Sequence, residues 1–448
     1  MSREKKYEID MCNGSIMDKL ISFALPLMLS GMLQLMFNAV DIVVVGRFSG
    51  SQSLAAVGAT TALIYLFTNL FIGISLGANV LAARYYAAGK HEEMSETVHT
   101  AMMFALISGI IMIFVGLFFS RLALEIMGTP SDVIDQATLY MRIYFLGMPF
   151  FMLYNYGAAI LRAVGDTKRP LIFLIISGVV NACLNMLLVI VFHLDVAGVA
   201  IATVTSQFIS CVLVIGCLYR TKSSYQLRFS RLKIRKEYLK PICQVGIPAG
   251  IQSTVINFSN ALLQSSVNSF GSTTMAGYTA ANNIFGFLYV SVNAITQACM
   301  SFTSQNYGLR KLKRMDKILM DCLILTVIVS LVLGGGVYLF GAEILRLYTE
   351  EAEVIRCGIE IFAYTTVTYF LCGIMDLFPG ALRGMDRSTV PMILSVIGTV
   401  GTRIVWVFWL FPAHRSLAFL FISYPASWLI TIMMQVICFY VVRRKVHG

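Results

Sequence analysis

Twelve long apolar runs constrain this chain more than any other feature of it. The first reaches from Leu20 to Phe48 and exceeds the about 20 apolar residues that cross a bilayer. Similar runs return about every 30 to 35 residues along the chain. They place membrane spans at 18–46, 54–83, 97–119, 137–161, 170–192, 196–218, 241–268, 274–303, 318–340, 357–382, 391–412 and 417–441. With 58% hydrophobic and 13% charged residues, the composition matches a polytopic membrane protein and departs from soluble averages. The first run is no signal peptide: it is too long, carries polar residues and lacks a small-residue cleavage site.

A net charge of +11 suggests a nucleic-acid partner until its placement is considered. With the N-terminus inside, 27 of the 34 Lys and Arg residues fall on cytoplasmic segments. The richest such segment, Tyr219 to Lys240, holds Arg220, Lys222, Arg228, Arg231, Lys233, Arg235, Lys236 and Lys240. The N-terminal arm adds Arg3, Lys5, Lys6 and Lys19. This alternation supports twelve spans with both termini cytoplasmic, and no nucleic-acid partner. The basic loops are topology signals that face anionic lipid.

Inside the first span lie Gln34, Asn38 and Asp41, spaced four and three apart on one helical face. An acid at bilayer depth costs about 2.5–3.5 kcal/mol, so it faces a cavity or a partner rather than lipid. The alternative is a hydrated Asp41 near the outer interface, but Gln34 and Asn38 carry the polar stripe inward. Pro26, in the same helix, removes a backbone donor and favours a bend.

Enzyme and pump chemistry is not visible. Nine of the ten cysteines lie in apolar runs and none forms a CxxC pair, so they read as reduced core residues. The five histidines are scattered at loops and ends, and there is no HExxH and no GxxxxGK[ST]. No catalytic residue, metal site or cofactor is expected. The 24 methionines suit an adaptable drug surface and equally suit any membrane core.

The chain repeats itself. ILRAVGDTKRPLI from Ile160 lines up with ALRGMDRSTVPMI from Ala381. Arg162 pairs with Arg383 and Pro170 with Pro391, each 221 residues apart; Pro26 and Pro248 are 222 apart. Two six-helix halves therefore share one plan and run in parallel. The expected fold is an all-α polytopic membrane protein of twelve transmembrane helices in two pseudo-symmetric six-helix lobes. The expected division is 1–218, a linker at 219–240, and 241–448. Such repeats are a transporter signature, with substrate bound near the midplane between the halves.

ALPLMLSGMLQLMFNAVDIVVVGRFSG, YMRIYFLGMPF followed by LRAVGDTKRP, and VAGVAIATVTSQ at Val196 resemble the multidrug and toxic compound extrusion (MATE) family. The resemblance covers essentially the whole chain. It implies alternating access and export of organic, often cationic drugs in exchange for protons or sodium ions. By this resemblance Asp41 matches the family's cation-coupling acid and Pro26 the proline where the first helix bends. Asn181, Asn185 and Thr203 match polar positions lining the same N-terminal cavity, which also holds Gln34. Where Asn185 stands, one branch of the family carries a second carboxylate. Helix 7 lacks the glutamate of another branch; its polar residues are Gln252, Asn257, Asn260, Gln264 and Asn268. Coupling is therefore expected in the N-terminal half, at Asp41, Asn181, Asn185 and Thr203. Gln34, Asn38, Asn155, Gln252 and Asn257 are the candidate substrate-cavity residues. Asn181 and Asn185 have a plainer reading as interhelical glue. Arg403 meets Asp376, lines the cleft or snorkels, with a structural role preferred.

The expectation is thus a monomeric secondary antiporter in the plasma membrane, exporting cationic or amphipathic small molecules. The proton is preferred as coupling ion, because an isolated carboxylate in a low-dielectric cavity disfavours its charged form. Sodium is the alternative, since amide and hydroxyl oxygens suit a hard cation. A channel would need a selectivity filter or a ring of charge, which the chain lacks. A lipid-linked sugar or other amphiphile flippase of the same superfamily is the other alternative, and it would need a strongly cationic cleft.

Overall fold

The computed structural model describes residues 7–447, apart from the side chains of 51, 446 and 447; Arg3, Lys5 and Lys6 of the basic arm lie outside the described residues. The described residues are nearly all helical, with no strand among them. Helix α1 (Met17–Phe48) runs unbroken past Pro26, with Asp18 in its first turn and Arg47 in its last, each suited to the helix dipole there. It is followed by α2 (Gly50–Ala87), α3 (His91–Ile126), α4 (Ile134–Leu146), α5 (Met148–Ala163), α6 (Lys168–Asn185) and α7 (Asp195–Arg220). After the basic linker come α8 (Lys236–Asn268), α9 (Ser272–Gly308), α10 (Leu312–Leu339) and the short α11 (Gly341–Arg346). The chain closes with α12 (Ala352–Thr365), α13 (Tyr369–Gly384), α14 (Thr389–Ser395), α15 (Thr402–Val405) and α16 (Leu417–His447).

Among the described residues nine helices are long and apolar enough to span a membrane, and two bent pairs raise this to eleven. The twelfth by position is α8, whose hydropathy is lowered by Gln252, Asn257, Asn260, Gln264 and Asn268. Two expected spans are not straight. The run 137–161 is α4 and α5, bent by 47°, and the run 357–382 is α12 and α13, bent by 51°. At the first bend Gly147 separates the helices and Pro149 opens α5, where its missing N–H costs no helical bond. The expected spans at 170–192 and 391–412 carry π-helical turns, at Met186–Val191, and at Val396–Gly401 and Trp406–Leu410.

The backbone bears out the repeat residue by residue. Positive φ angles recur 221 residues apart at Gly50 and Gly271, at Gly89 and Arg310, and at Gly165 and Asp386. Gly165 is held to glycine twice over, since its φ is 93° and a Cβ would lie 2.6 Å from the backbone of Ile9. In the second repeat Asp386 adopts the same turn at φ 63°, a conformation that Asp tolerates better than most residues.

Two compact units emerge, and neither is a contiguous half. One comprises Met1–Asp10 with Leu29–Gly250, the other Met11–Met28 with Ile251–Gly448. In the first unit, glycines explain why the start of α8 belongs there. GISLG on α2 and GIPAG on α8 each place two glycines four apart. A Cβ on Gly73 or Gly77 would strike the α8 backbone, and one on Gly246 or Gly250 would strike α2. Such small-residue faces let two backbones meet within a membrane. The core of this unit gathers Phe145, Met152, Tyr156 and Met102, all buried. Beside the start of the chain Glu8 accepts hydrogen bonds from Tyr86 (2.8 Å) and Tyr225 (2.7 Å). Burial and the nearby Glu8 push the Tyr225 hydroxyl up to about 12.

In the second unit the start of α1 packs on α9, where the rings of Phe23 and Phe302 meet edge to face at 5.6 Å. The carbonyls of Cys12, Asn13 and Gly14 accept from Lys311 and Arg314 at 2.9–3.1 Å. Deeper in the unit, Tyr278 stacks on Phe421 and its hydroxyl meets that of Tyr424 at 3.0 Å.

Candidate functional site

The site in the first unit is built where α1 meets α6. Gly178 makes this possible: a Cβ there would fall into the ring of Phe37 on α1. One turn beyond Phe37 stands Asp41, and on α6 Asn181 and Asn185 follow Gly178 on the same face. Asn185 is fully buried and Asn181 nearly so, while Asp41 is half-buried. The Asn185 amide donates from Nδ2 to a carboxylate oxygen of Asp41 and, at 3.2 Å, to Oδ1 of Asn181. Its own Oδ1 is buried without a hydrogen-bond partner. Asn185 also ends the α-helical part of α6; the π turn Met186–Val191 begins at the next residue. Single π turns inside α-helices are rare and are frequently found at functional positions.

The surroundings of Asp41 are neutral. Among the described residues no Lys, Arg or His forms an ion pair with it. Tyr140 and Tyr144 stand on α4 of the same unit, where their spacing of four stacks the rings 6.3 Å apart on one face. No group of three or more His, Cys, Asp or Glu is placed to hold a metal among the described residues.

The other expected site residues fall in different surroundings. Gln34 and Asn38 are exposed, so the stripe runs from half-buried Asp41 to the accessible surface. Thr203 on α7 is half-buried and donates its hydroxyl to Val199 O of its own helix at 3.0 Å, which leaves the oxygen's lone pairs free to accept. Asn155 on α5 likewise donates to Phe151 O at 2.8 Å. Pro26 is buried within the part of α1 that belongs to the second unit.

In that second unit Asn257 is exposed, but Gln252 is 4% exposed and bonded on both sides. Its Oε1 accepts from Arg383 at 2.6 Å and its Nε2 donates to Ser395 at 3.2 Å, beside Gln435, which also donates to Ser395. Asp376 is half-buried within electrostatic reach of Arg383. Arg403 bonds to the neutral side chains of Ser259 and Asn260 rather than to Asp376.

Twelve helical spans in two repeats, with polar side chains gathered at intramembrane positions, define a multi-pass membrane protein of the transporter class rather than an enzyme. The chain belongs to the MatE family, whose model matches residues 26–187 and again 248–409. The two matches are offset by 222 residues, the repeat distance of the two prolines. The chain is 28% identical over 423 residues to the probable multidrug resistance protein YoeA of Bacillus subtilis (strain 168), covering 92% of this chain and 91% of that protein. It is 21% identical over 397 residues to the multidrug export protein MepA of Staphylococcus aureus (strain NCTC 8325 / PS 47), covering 89% and 87%. Its fold matches a structure described as the outward-facing conformation of a multidrug resistance MATE family transporter of the MOP superfamily. That match has a TM-score of 0.88 at 20% identity and covers 98% of this chain and 97% of the other.

Proposed function

We propose that this protein is a secondary active antiporter of the cell membrane that exports organic, cationic or amphipathic compounds in exchange for protons. The observation that carries the proposal is Asp41, a half-buried carboxylate bonded to the neutral amide of Asn185 with no basic partner. A carboxylate in that setting attracts either a proton or a cationic cargo, and the two compete. Asn185 serves both states. Its amide hydrogen bonds the carboxylate, and after rotation its unpartnered Oδ1 would accept the proton of the acid form. Protonation then favours release of cargo and deprotonation favours its binding, which couples the two fluxes by alternating access. The names of the two relatives support drug-like cargo, and the placement of basic residues supports cytoplasmic termini. Sodium is the competing ion, since oxygens of Asp41, Asn181, Asn185 and Thr203 are the hard ligands such a cation prefers.

The deciding experiment uses purified protein in sodium-free liposomes with an imposed pH gradient and a cationic dye as cargo. Transport should follow the pH gradient, and Asp41→Asn should reduce it to the protein-free background while the protein stays folded. Transport that ignores the pH gradient and starts only with a sodium gradient would replace the proton by sodium. Wild-type transport by Asp41→Asn at equal protein amount would remove Asp41 from coupling altogether.

A further inference from the structure

The basic linker is fastened to α3 by a histidine that can hold it only while uncharged. His99, in the third turn of α3, is 1% exposed. Its Nε2 faces the backbone N–H of Arg228, 129 residues further on, at 3.0 Å. A backbone N–H only donates, so Nε2 accepts. Nδ1 lies 2.6 Å from the carbonyl oxygen of Ser95, which only accepts, so Nδ1 carries the hydrogen. The Ser95 hydroxyl, 3.4 Å from Nδ1, can accept from the same hydrogen. One tautomer of the neutral ring therefore satisfies both nitrogens. Beside it the Thr100 hydroxyl donates to Lys233 O at 3.4 Å and accepts from Arg235 N at 3.3 Å. Glu96 pairs with Arg235 at 2.6 Å and Glu92 with Arg231 at 3.8 Å. The segment Arg228–Arg235 is thus laid along the first turns of α3, within one unit.

A second proton would turn this contact repulsive. An imidazolium donates from both nitrogens, so an N–H at Nε2 would meet the N–H of Arg228 and a charge would be buried. Among the described residues no carboxylate bonds the ring to offset it. The acids of this corner are engaged or exposed. Glu93 pairs with Lys90 at 3.7 Å, Glu92 and Glu96 pair with the linker, and Glu237 at the start of α8 is exposed. At the other end of the linker Glu8 accepts from Tyr86 and Tyr225, and Asp166 from Arg169. The helices packed on α3 bring cations, Arg84 on α2 and Arg162 on α5, and neutral Tyr85 and Tyr156. With exposed His91 and Lys233 these oppose a further positive charge. We infer that His99 is a pH-sensitive latch for the linker between the two repeats, closed while its ring is neutral and released when the ring is protonated. By linkage, a docked linker excludes the proton, and binding of the proton undocks the linker. Docking is full at the alkaline end of the histidine range and is lost as the pH falls through it, from about pH 8 to about pH 5. The pairs of Arg231 and Arg235 are partly exposed and contribute little alone. The pH that is read is that of the side the basic linker faces. The element it biases is the joint from α7 to α8, whose early turns lie on the glycine face of α2.

Hydrogen exchange of the full chain in lipid nanodiscs, read by mass spectrometry, reports on the Arg228 and Arg235 amides directly. Wild type and His99→Gln are compared at each pH, so that the pH dependence of the exchange chemistry cancels. Glutamine stays uncharged throughout, and its Oε1 can accept from Arg228 N. From the alkaline to the acid end of the range, the ratio of the wild-type exchange rate at 228–235 to that of His99→Gln should rise by about tenfold or more, as for the loss of a buried hydrogen bond. This ratio rises whether His99→Gln docks its linker at every pH or at none, because only wild type changes. His99→Arg, charged throughout, should exchange fast at 228–235 across the whole range. Peptides of α13, in the other unit, should show no such rise, which separates undocking from general unfolding. Asp41→Asn should keep the wild-type response, so the latch stands or falls apart from coupling at Asp41. The inference is overturned if the ratio stays constant across the range, if α13 opens in step with the linker, or if His99→Arg protects 228–235 as wild type does at the alkaline end.

Discussion

Asn185 shows how much a single amide decides. Its Nδ2 is shared between Asp41 and Asn181, and its Oδ1 is left without a partner in a buried place. Changing it to aspartate would set two carboxylates side by side, and like charges at such a distance favour a shared cation. Asn185→Asp should therefore make transport respond to sodium at fixed pH, read as sodium-stimulated dye flux in liposomes; a flux indifferent to sodium would contradict this. Gln252 shows the opposite case. As a polar residue in a span it reads like a cavity residue, yet it is fastened between Arg383 and Ser395. Gln252→Ala removes an acceptor from a charged donor and should destabilise the protein by about 1.5–3 kcal/mol. A thermal-shift measurement in detergent checks this, and an unchanged melting temperature would assign Gln252 no structural part. Nothing in the spacing of Gln252 distinguishes it from Asn257, because partners 131 and 143 residues away do not register in local pattern.

At the scale of elements, apolar runs locate the spans but not their breaks. The bends between α4 and α5 and between α12 and α13 lie inside runs that read as single helices. Only the first has a local signal, in Gly147 and Pro149; the second lies at Thr366–Thr368, where no proline or glycine stands. The π turn after Asn185 has no sequence signature at all, since an inserted residue changes register without changing hydropathy. Glycines are more informative. At Gly77 a Cβ would run into Ile242 O on α8, with no flexible side chain to yield. Gly77→Val should cost at least about 1–3 kcal/mol, read as lost folded yield and a lower melting temperature. The repeated turn offers a paired test. Gly165→Ala should destabilise by about 1 kcal/mol or more, whereas Asp386→Gly should be tolerated or mildly stabilising. Equal effects at the two positions would mean that the Ile9 backbone does not constrain Gly165.

For the whole molecule, the notable fact is that the linker at 219–240 does not separate the compact units. Met11–Met28 belongs with the C-terminal residues and Lys236–Gly250 with the N-terminal ones. A fragment of residues 1–250 should resist proteolysis longer than one of residues 1–220, because only the longer piece covers the glycine face of α2 with α8. Equal digestion rates would show that this face needs no cover. Hydropathy, charge placement and the 221-residue offset were enough for an all-helical multi-pass protein of two repeats, because these depend on composition and local period alone. The α1 stripe and its acid were legible for the same reason, since a spacing of three and four fixes a shared face. The partners were not. Which amide reaches Asp41, which residues hold Arg403, and where α8 changes units all depend on how closely two backbones approach. Only packing sets that distance, through Gly178 against Phe37 and the paired glycines of α2 and α8.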